Sequence, residues 1–241
     1  MLAGGLGTRL RPAVSDRPKP MADVRGRPFL EHLMAYWIGE GVSRFVLCVG
    51  HMSEHVTEHF GKRFMGAAIR YSAETASLGT GGALALGLRR FQEEGPFLVL
   101  NGDTFFNVPL VRLEQKMREC SATWVTSLFS SPKTERYGQV FLDGTGAVVR
   151  SPQLFSGERA IPGDFWVNGG VWLADPSRSG LRISAMSPPF SLETYLERFQ
   201  EIQTGSFFGL RGSDTFIDIG VPEDYARAQH MDVFEGGISG S

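Results

Sequence analysis

Three glycines within four positions, Gly4-Gly5-Leu6-Gly7, lead into Thr8, Arg9 and Arg11, and Lys19 follows inside Pro18-Lys19-Pro20-Met21. A backbone without Cβ atoms turns tightly and comes within hydrogen-bonding distance of a ligand. Successive N–H groups in such a turn form a concave anion site, to which Arg9, Arg11 and Lys19 add full positive charges. A polyphosphate is the expected guest. Two familiar glycine signatures do not fit: no Gly-Lys-Ser or Gly-Lys-Thr ends the loop, and Leu10 stands where the dinucleotide fingerprint needs its third glycine.

The pattern G-G-x-G-T-R-L-x-P followed by P-K-P-M resembles the signature of the sugar-phosphate nucleotidyltransferases, which join a nucleoside triphosphate to a sugar 1-phosphate and release pyrophosphate. Further elements extend the resemblance from Leu2 to Gln229. Leu100-Asn101-Gly102-Asp103 is similar to the family's L-x-G-D, Asp218-Ile219-Gly220-Val221-Pro222 to its D-I-G-T-P with valine for threonine, and Val167-Asn168-Gly169-Gly170-Val171-Trp172 to its N-A-G-I-Y. The family's Phe-x-Glu-Lys pair has only an altered counterpart in Phe155-Ser156-Gly157-Glu158-Arg159, one residue longer and with arginine for lysine. Around Arg17 to Glu31, Gly79 to Leu84 and Ser191-Leu192-Glu193 the chain is most similar to the short bacterial guanylyltransferases acting on D-glycero-α-D-manno-heptose 1-phosphate.

The resemblance implies a set of roles. Leu2, Ala3, Gly4, Gly5, Gly7, Thr8, Arg9, Lys19, Glu74, Gly79 and Gly102 would hold the nucleotide. Arg9 is expected at the pyrophosphate end, and Lys19 at the α-phosphate and the incoming phosphate. Asp103 ends an apolar run, where a carboxylate suits Mg²⁺, a cation that takes a few protein oxygens plus phosphates and waters; Asp218 is the second metal carboxylate by resemblance. Arg9, Lys19, Asp103 and Asp218 form the catalytic group, with no general base. Asn168, Gly169, Glu158 and Arg159 are expected to bind the sugar phosphate. Glu74 ends a strand shortly before Gly79, within reach of a base, and its acceptor oxygens suit guanine. The expected product is a nucleoside diphosphate sugar for surface polysaccharide. A uridylyl- or thymidylyltransferase for a hexose 1-phosphate, or a catalytically silent regulatory homologue, is the alternative.

Alternating runs of apolar residues must position these groups. Met1-Leu2-Ala3 is a stub of a first strand where the resembled proteins carry several apolar residues, which suggests a late start codon or a trimmed sequence. Pro28 is expected as the first residue of a helix bearing Phe29, Leu30, Leu33, Met34, Trp37 and Ile38 at helical spacing and ended by Gly39 and Gly41. Residues 44–49 read as a buried parallel strand, and Ser53 as the cap of the next helix. A strand at 69–73, a helix opening at 79–84 and running to 91, and a strand at 97–100 follow. This alternation predicts an α/β fold with a doubly wound, mostly parallel central sheet, Rossmann-like, whose ligand crevice lies beyond the carboxyl ends of the strands. The second half reads as a helix over 108–120, strands over 122–129 and 165–173, a hairpin turning on Asp143-Gly144, a helix capped by Ser191, a short strand ending at Asp218 and a helix opening at Pro222. The resemblance adds a small β-rich sugar-binding insertion. One nucleotidyltransferase domain is expected over 1–234, with 1–107 mainly nucleotide-binding and 108–234 mainly sugar-phosphate-binding, then a flexible tail over 235–241.

Lysine and arginine total 24 against 26 acidic residues, a formal charge of −2, so nothing points to nucleic acid or an anionic membrane as partner. The partners expected are the triphosphate and the sugar 1-phosphate, in a monomer or homodimer. Two cysteines, no apolar stretch near 18 residues and no leader read as a cytoplasmic protein. His51-Met52-Ser53-Glu54-His55 spells H-x-x-E-H, a zinc-protease pattern, but that pattern needs one continuous helix and His51 directly follows Gly50.

Overall fold

The computed structural model describes residues 1–91, 95–130, 139–149, 166–178, 182–212 and 215–235. Its strands are β1 (Asp23–Val24), β2 (Arg27–Pro28), β3 (Arg44–Val49), β4 (Arg63–Phe64), β5 (Ala67–Ala73), β6 (Phe97–Leu100), β7 (Thr104–Phe106), β8 (Trp124–Ser130), β9 (Gln139–Leu142), β10 (Val148–Val149), β11 (Trp166–Ala174), β12 (Phe207–Arg211) and β13 (Phe216–Asp218). The α-helices are α1 (Phe29–Gly39), α2 (Ser53–Phe60), α3 (Gly79–Phe91), α4 (Leu110–Glu119), α5 (Leu192–Ile202) and α6 (Pro222–Ala228).

Leu2 joins the two halves of the central sheet. It bridges in parallel to Cys48 and to Asn101. Its amide donates to the Leu100 carbonyl at 2.8 Å, and its own carbonyl accepts from Gly102 at 2.9 Å. On the other side the Cys48 amide donates to Met1 and the Ala3 amide to Cys48, both at 2.8 Å. The row therefore runs β4-β5-β3-Leu2-β6-β11-β8-β12, with β4 and β11 antiparallel to the rest. The expected stub is thus paired on both edges through Leu2. Behind it a largely apolar cleft of about 360 Å³ separates β3 from β6.

Side chains alternate across this sheet, as the pleat requires. Val171 and Leu173 of β11, with Val125 and Phe129 of β8, join the core shared with α1 and α4, whereas Trp172, Ala174, Trp124 and Leu128 join the core under α3 and α5. Helices thus cover both faces, which makes the sheet doubly wound. On α1 the buried stripe is Phe29, Leu30, Leu33, Met34 and Trp37; such side chains are worth about 1.5–3 kcal/mol each when fully buried.

Two helix starts differ from expectation. Pro28 is the residue before α1 and not its first turn, because it belongs to the β1–β2 ladder opposite Asp23 and keeps an extended ψ of 137°. Ser53 does not cap α2: Met52 does, in a left-handed conformation with φ 55°, so the helix begins one residue early. His51 remains outside that helix, and the H-x-x-E-H pattern does not lie on one helical face. By contrast Ser191 caps α5 as expected, accepting from the Thr194 amide at 3.0 Å.

Register places the functional ends. In β13–β7, Asp218 pairs with Thr104 and Phe216 with Phe106, which lays Asp218 beside the residue after Asp103. In β11 the register shifts between Asn168 and Trp172. Gly170 takes φ +75° in this bulge. A Cβ at Gly169 would lie 2.7 Å from both the Phe106 ring and the Ser127 hydroxyl, so only glycine fits there. No described helix is long and apolar enough to cross a membrane.

Candidate active site

The chain leaves the sheet at Ala3 and turns through the glycines before Leu10, 1% exposed, anchors it in the core. The Leu10 amide donates to the Gly7 carbonyl at 3.0 Å. Gly7 has φ +59°, and a Cβ there would stand 3.1 Å from Lys19 Cβ, so the loop can close on Lys19 only as glycine. At the other end a Cβ on Gly4 would reach 3.0 Å from Glu74 Oε1. Gly5 has open space above it.

Lys19 begins a single 3₁₀ turn after Pro18, and its side chain is 9% exposed. Its Nζ donates to Asp103 Oδ2 at 2.7 Å and to Asp218 Oδ1 at 3.1 Å. The two aspartates are held by their own neighbours. Thr104 Oγ1 donates to Asp103 Oδ1, the Gly220 amide to Asp218 Oδ1 at 2.7 Å, and the Ile219 amide to the Asp103 carbonyl at 3.1 Å. A Cβ at Gly220 would stand 2.8 Å from both Lys19 Nζ and Asp218 Oδ1. One ammonium between two carboxylates is an arrangement of fixed charge, little screened at Lys19 and Asp218 and more open to water at Asp103, whose side chain is 35% exposed.

Two cavities open from this point and share Leu2, Gly5, Leu6 and Asp103. The smaller, about 240 Å³, is lined by Gly7, Thr8, Arg9, Lys19, Pro20 and Gly220. The larger, about 440 Å³, runs past Gly4, Gly50, His51 and Glu74 to Thr75, Ser77, Gly79, Thr80 and Asn101. Both lie at the carboxyl ends of parallel strands, the expected crevice. In the larger one Glu74 Oε2 accepts from the Leu78 amide at 3.2 Å, and burial pushes the Glu74 carboxyl pKa upward, partly opposed by that bond.

The residues named from sequence separate into groups. Ala3, Gly4, Gly5, Gly7, Thr8, Arg9, Lys19, Glu74, Gly79, Asp103 and Leu2 all line one cavity or both. Asp218 and Gly102 line neither: Asp218 is reached through Lys19, and Gly102 packs beneath Leu2, where a Cβ would stand 2.8 Å from the Leu2 carbonyl oxygen. Asn168 and Gly169 are likewise one layer back. Asn168 Oδ1 accepts from Thr126 Oγ1 at 3.2 Å and from the Gly170 amide at 2.9 Å, and Gly170 abuts Asn101 and Thr104. Glu158, Arg159 and the tail over 236–241 lie outside the described residues. Asn101, Thr80 and Gly220 were missed. All three sit inside quoted elements, Gly220 after Asp218, Asn101 before Gly102 and Thr80 after Gly79, but only the tertiary structure turns them toward the cavities.

Among the described residues no cluster of three or more histidine, cysteine or acidic side chains could hold a metal. Two neighbouring carboxylates, one of them, Asp103, facing both cavities, nevertheless suit a hard divalent cation that completes its shell with substrate and water. The donor chemistry of Asp103 and Asp218 fits Mg²⁺.

Comparisons with known proteins identify the family. Residues 1–232 match the profile of the family described as "Nucleotidyl transferase". The chain is 35% identical over 230 residues, 95% of each protein, to D-glycero-alpha-D-manno-heptose 1-phosphate guanylyltransferase of Aneurinibacillus thermoaerophilus. It is 35% identical over 227 residues to the Campylobacter jejuni protein of the same name, covering 93% of this chain and 95% of that one. Among solved structures it is similar to HddC from Yersinia pseudotuberculosis complexed with GMP-PN, with a TM-score of 0.76 and 29% identity over 95% of this chain and 96% of that one.

Proposed function

The chain belongs to the nucleotidyl transferase family, and from that premise we propose that it joins GTP to D-glycero-α-D-manno-heptose 1-phosphate, giving the GDP-sugar and pyrophosphate. The observation that carries this reading is the Lys19 ammonium, which lines the smaller cavity and donates both to Asp103, a residue of both cavities, and to Asp218. The larger cavity would take the nucleoside and the smaller the phosphates.

In the reaction an oxygen of the sugar phosphate attacks the α-phosphorus; the new O–P bond forms as the bond from that phosphorus to the leaving pyrophosphate breaks. The attacking oxygen is already anionic, so no base has to remove a proton. What opposes the step is repulsion between two polyanions, and fixed cations relieve it without reorganising. Lys19, poorly hydrated in its pocket, is the cation for the α-phosphate and the incoming phosphate. Arg9, exposed on the rim, meets the leaving pyrophosphate. The glycine loop supplies backbone N–H donors along the phosphates. Asp103 and Asp218 would hold Mg²⁺, which when bound adds positive charge to the nonbridging oxygens. Glu74 reads the base through its acceptor oxygens, and Asn168 supports the sugar side.

The test is pyrophosphate release from a panel of GTP, UTP, dTTP and ATP against heptose and hexose 1-phosphates. Release with GTP and the heptose 1-phosphate is expected. Preference for UTP or dTTP with a hexose 1-phosphate would overturn the substrate assignment, and no release with any pair would point to a silent homologue.

A further inference from the structure

The wall of the larger cavity is built by residues 74–83, yet this turn does not hold itself up. A segment more than a hundred residues later, Pro188 to Leu192, is laid along its back. The Phe190 amide donates to the Leu78 carbonyl at 3.0 Å, and the Phe190 carbonyl accepts from both Gly81 and Gly82, at 3.1 and 3.2 Å. Thr80 Oγ1 accepts from the Leu192 amide at 2.8 Å. The first turns of α3 and α5 thereby satisfy each other's orphan donors. The fit is close. Cβ atoms at Gly79 and Gly81 would overlap the Phe190 carbonyl and ring, and one at Gly81 would also stand 2.8 Å from the Ser191 carbonyl oxygen. A Cβ at Gly82 would meet Pro188 at 3.0 Å.

This contact has a chemical consequence at the start of α3. A glycine-rich helix N-terminus beside a nucleotide cavity is the ordinary place for phosphate. Here two of its amides are already used by the Phe190 carbonyl, so the phosphates are left to the Gly4–Gly7 loop. What remains of the turn toward the cavity is its shape: Thr75, Ser77, Gly79, Thr80 and Ala83.

We propose that Phe190 is a positioning residue for the nucleotide, its backbone and ring fixing the 74–83 wall from behind so that the cavity has the width of one nucleoside. The inference rests on the reading above that the larger cavity takes the nucleoside. Phe190 does not line the cavity, and its effect passes through the wall.

Two variants and two readouts test it. Phe190→Ala keeps the backbone bonds and removes the ring; Gly81→Ala keeps the ring and pushes it and the Ser191 backbone away. Each is expected to raise the KM for GTP about tenfold while kcat at saturation and the KM for the sugar phosphate stay within about twofold, the pattern of lost ground-state binding. Phe190→Leu should restore most of the loss. Equilibrium GTP binding without sugar phosphate should weaken by the same factor. Amide exchange over 78–84 should be slow in the parent chain and faster in Phe190→Ala. An unchanged KM in a folded Phe190→Ala, equal loss of kcat, or fast exchange over 78–84 in the parent chain overturns the proposal. Should Phe190→Ala fail to fold, Gly81→Ala and the parent-chain exchange decide. Failure of the parent chain to bind any triphosphate would instead sink the reading of the cavity itself.

Discussion

Lys19 lies between two carboxylates that would otherwise repel each other. On the proposed role, Lys19→Ala lowers turnover by at least ~10², because a preorganised cation facing transition-state charge is worth ~3 kcal/mol or more. It also leaves Asp103 and Asp218 without a common cation, so its melting temperature should fall in EDTA and respond more to added Mg²⁺ than that of the parent chain. A melting curve indifferent to Mg²⁺ would remove the metal from this pair. Asp103→Asn and Asp218→Asn should each fold and lose most activity, since an uncharged amide oxygen is a poorer ligand for a hard cation; full turnover in either variant contradicts the assignment. Glu74 makes a different kind of prediction. Burial raises its pKa, so the ionised form is disfavoured by the fold; that penalty is absent below the unfolded pKa and fully present above the folded one. Glu74→Gln, whose amide oxygen can still accept from Leu78, should therefore be at least as stable as the parent at pH 8 and lose that advantage toward pH 4, in thermal melts across pH. In competition assays the same variant should lose about 1–3 kcal/mol of preference for GTP, because an amide donor replaces an acceptor facing guanine N–H groups. Unchanged selectivity would transfer base reading to the backbone.

At the scale of elements, the β11 bulge and the α5 cap are separable from chemistry. Gly169→Ala forces a methyl against the Phe106 ring and the Ser127 hydroxyl, and overpacking of that kind costs about 1–3 kcal/mol. Urea unfolding should show it. The displaced bulge carries Gly170 against Asn101 and Thr104, so the variant should lose activity as well as stability. Ser191→Ala removes the oxygen that accepts from Thr194, a cap worth about 1 kcal/mol. A midpoint unmoved by Ser191→Ala would mean that α5 is held by Tyr195, Leu196 and Phe199 in the core alone.

For the whole molecule, the site is made from distant parts of the chain: the glycine loop and Lys19 near the amino end, Asp103 after β6, Asp218 at the end of β13. A ligand touching all of them closes contacts that unfolding must break. Mg²⁺ with GTP at about 100 times its Kd should therefore stabilise the fold by about 2.7 kcal/mol. The shift should shrink in Asp218→Asn if that carboxylate takes part, and a full shift there would place the ligand elsewhere.

The alternation of buried strands and amphipathic helices was legible because the 2.0 and 3.6 residue periods are local properties of the chain. Strands β3, β5, β6 and β8 and helices α3, α4 and α6 followed from it, and the quoted motifs pointed to the Gly4 to Lys19 stretch that lines the cavities. Pro28 and Ser53 each lie one position from their expected place at a helix start, since a hairpin ladder and a left-handed Met52 override local capping preference. The pairing of Asp103 with Asp218 is different in kind. Spacing of 115 residues says nothing about proximity; only the β7–β13 register and the shared Lys19 ammonium bring the two together. The same holds for Phe190: the neighbouring Ser191-Leu192-Glu193 element says nothing of its contact with residues 78–82, which exists only because α5 docks its first turn against the glycines that open α3.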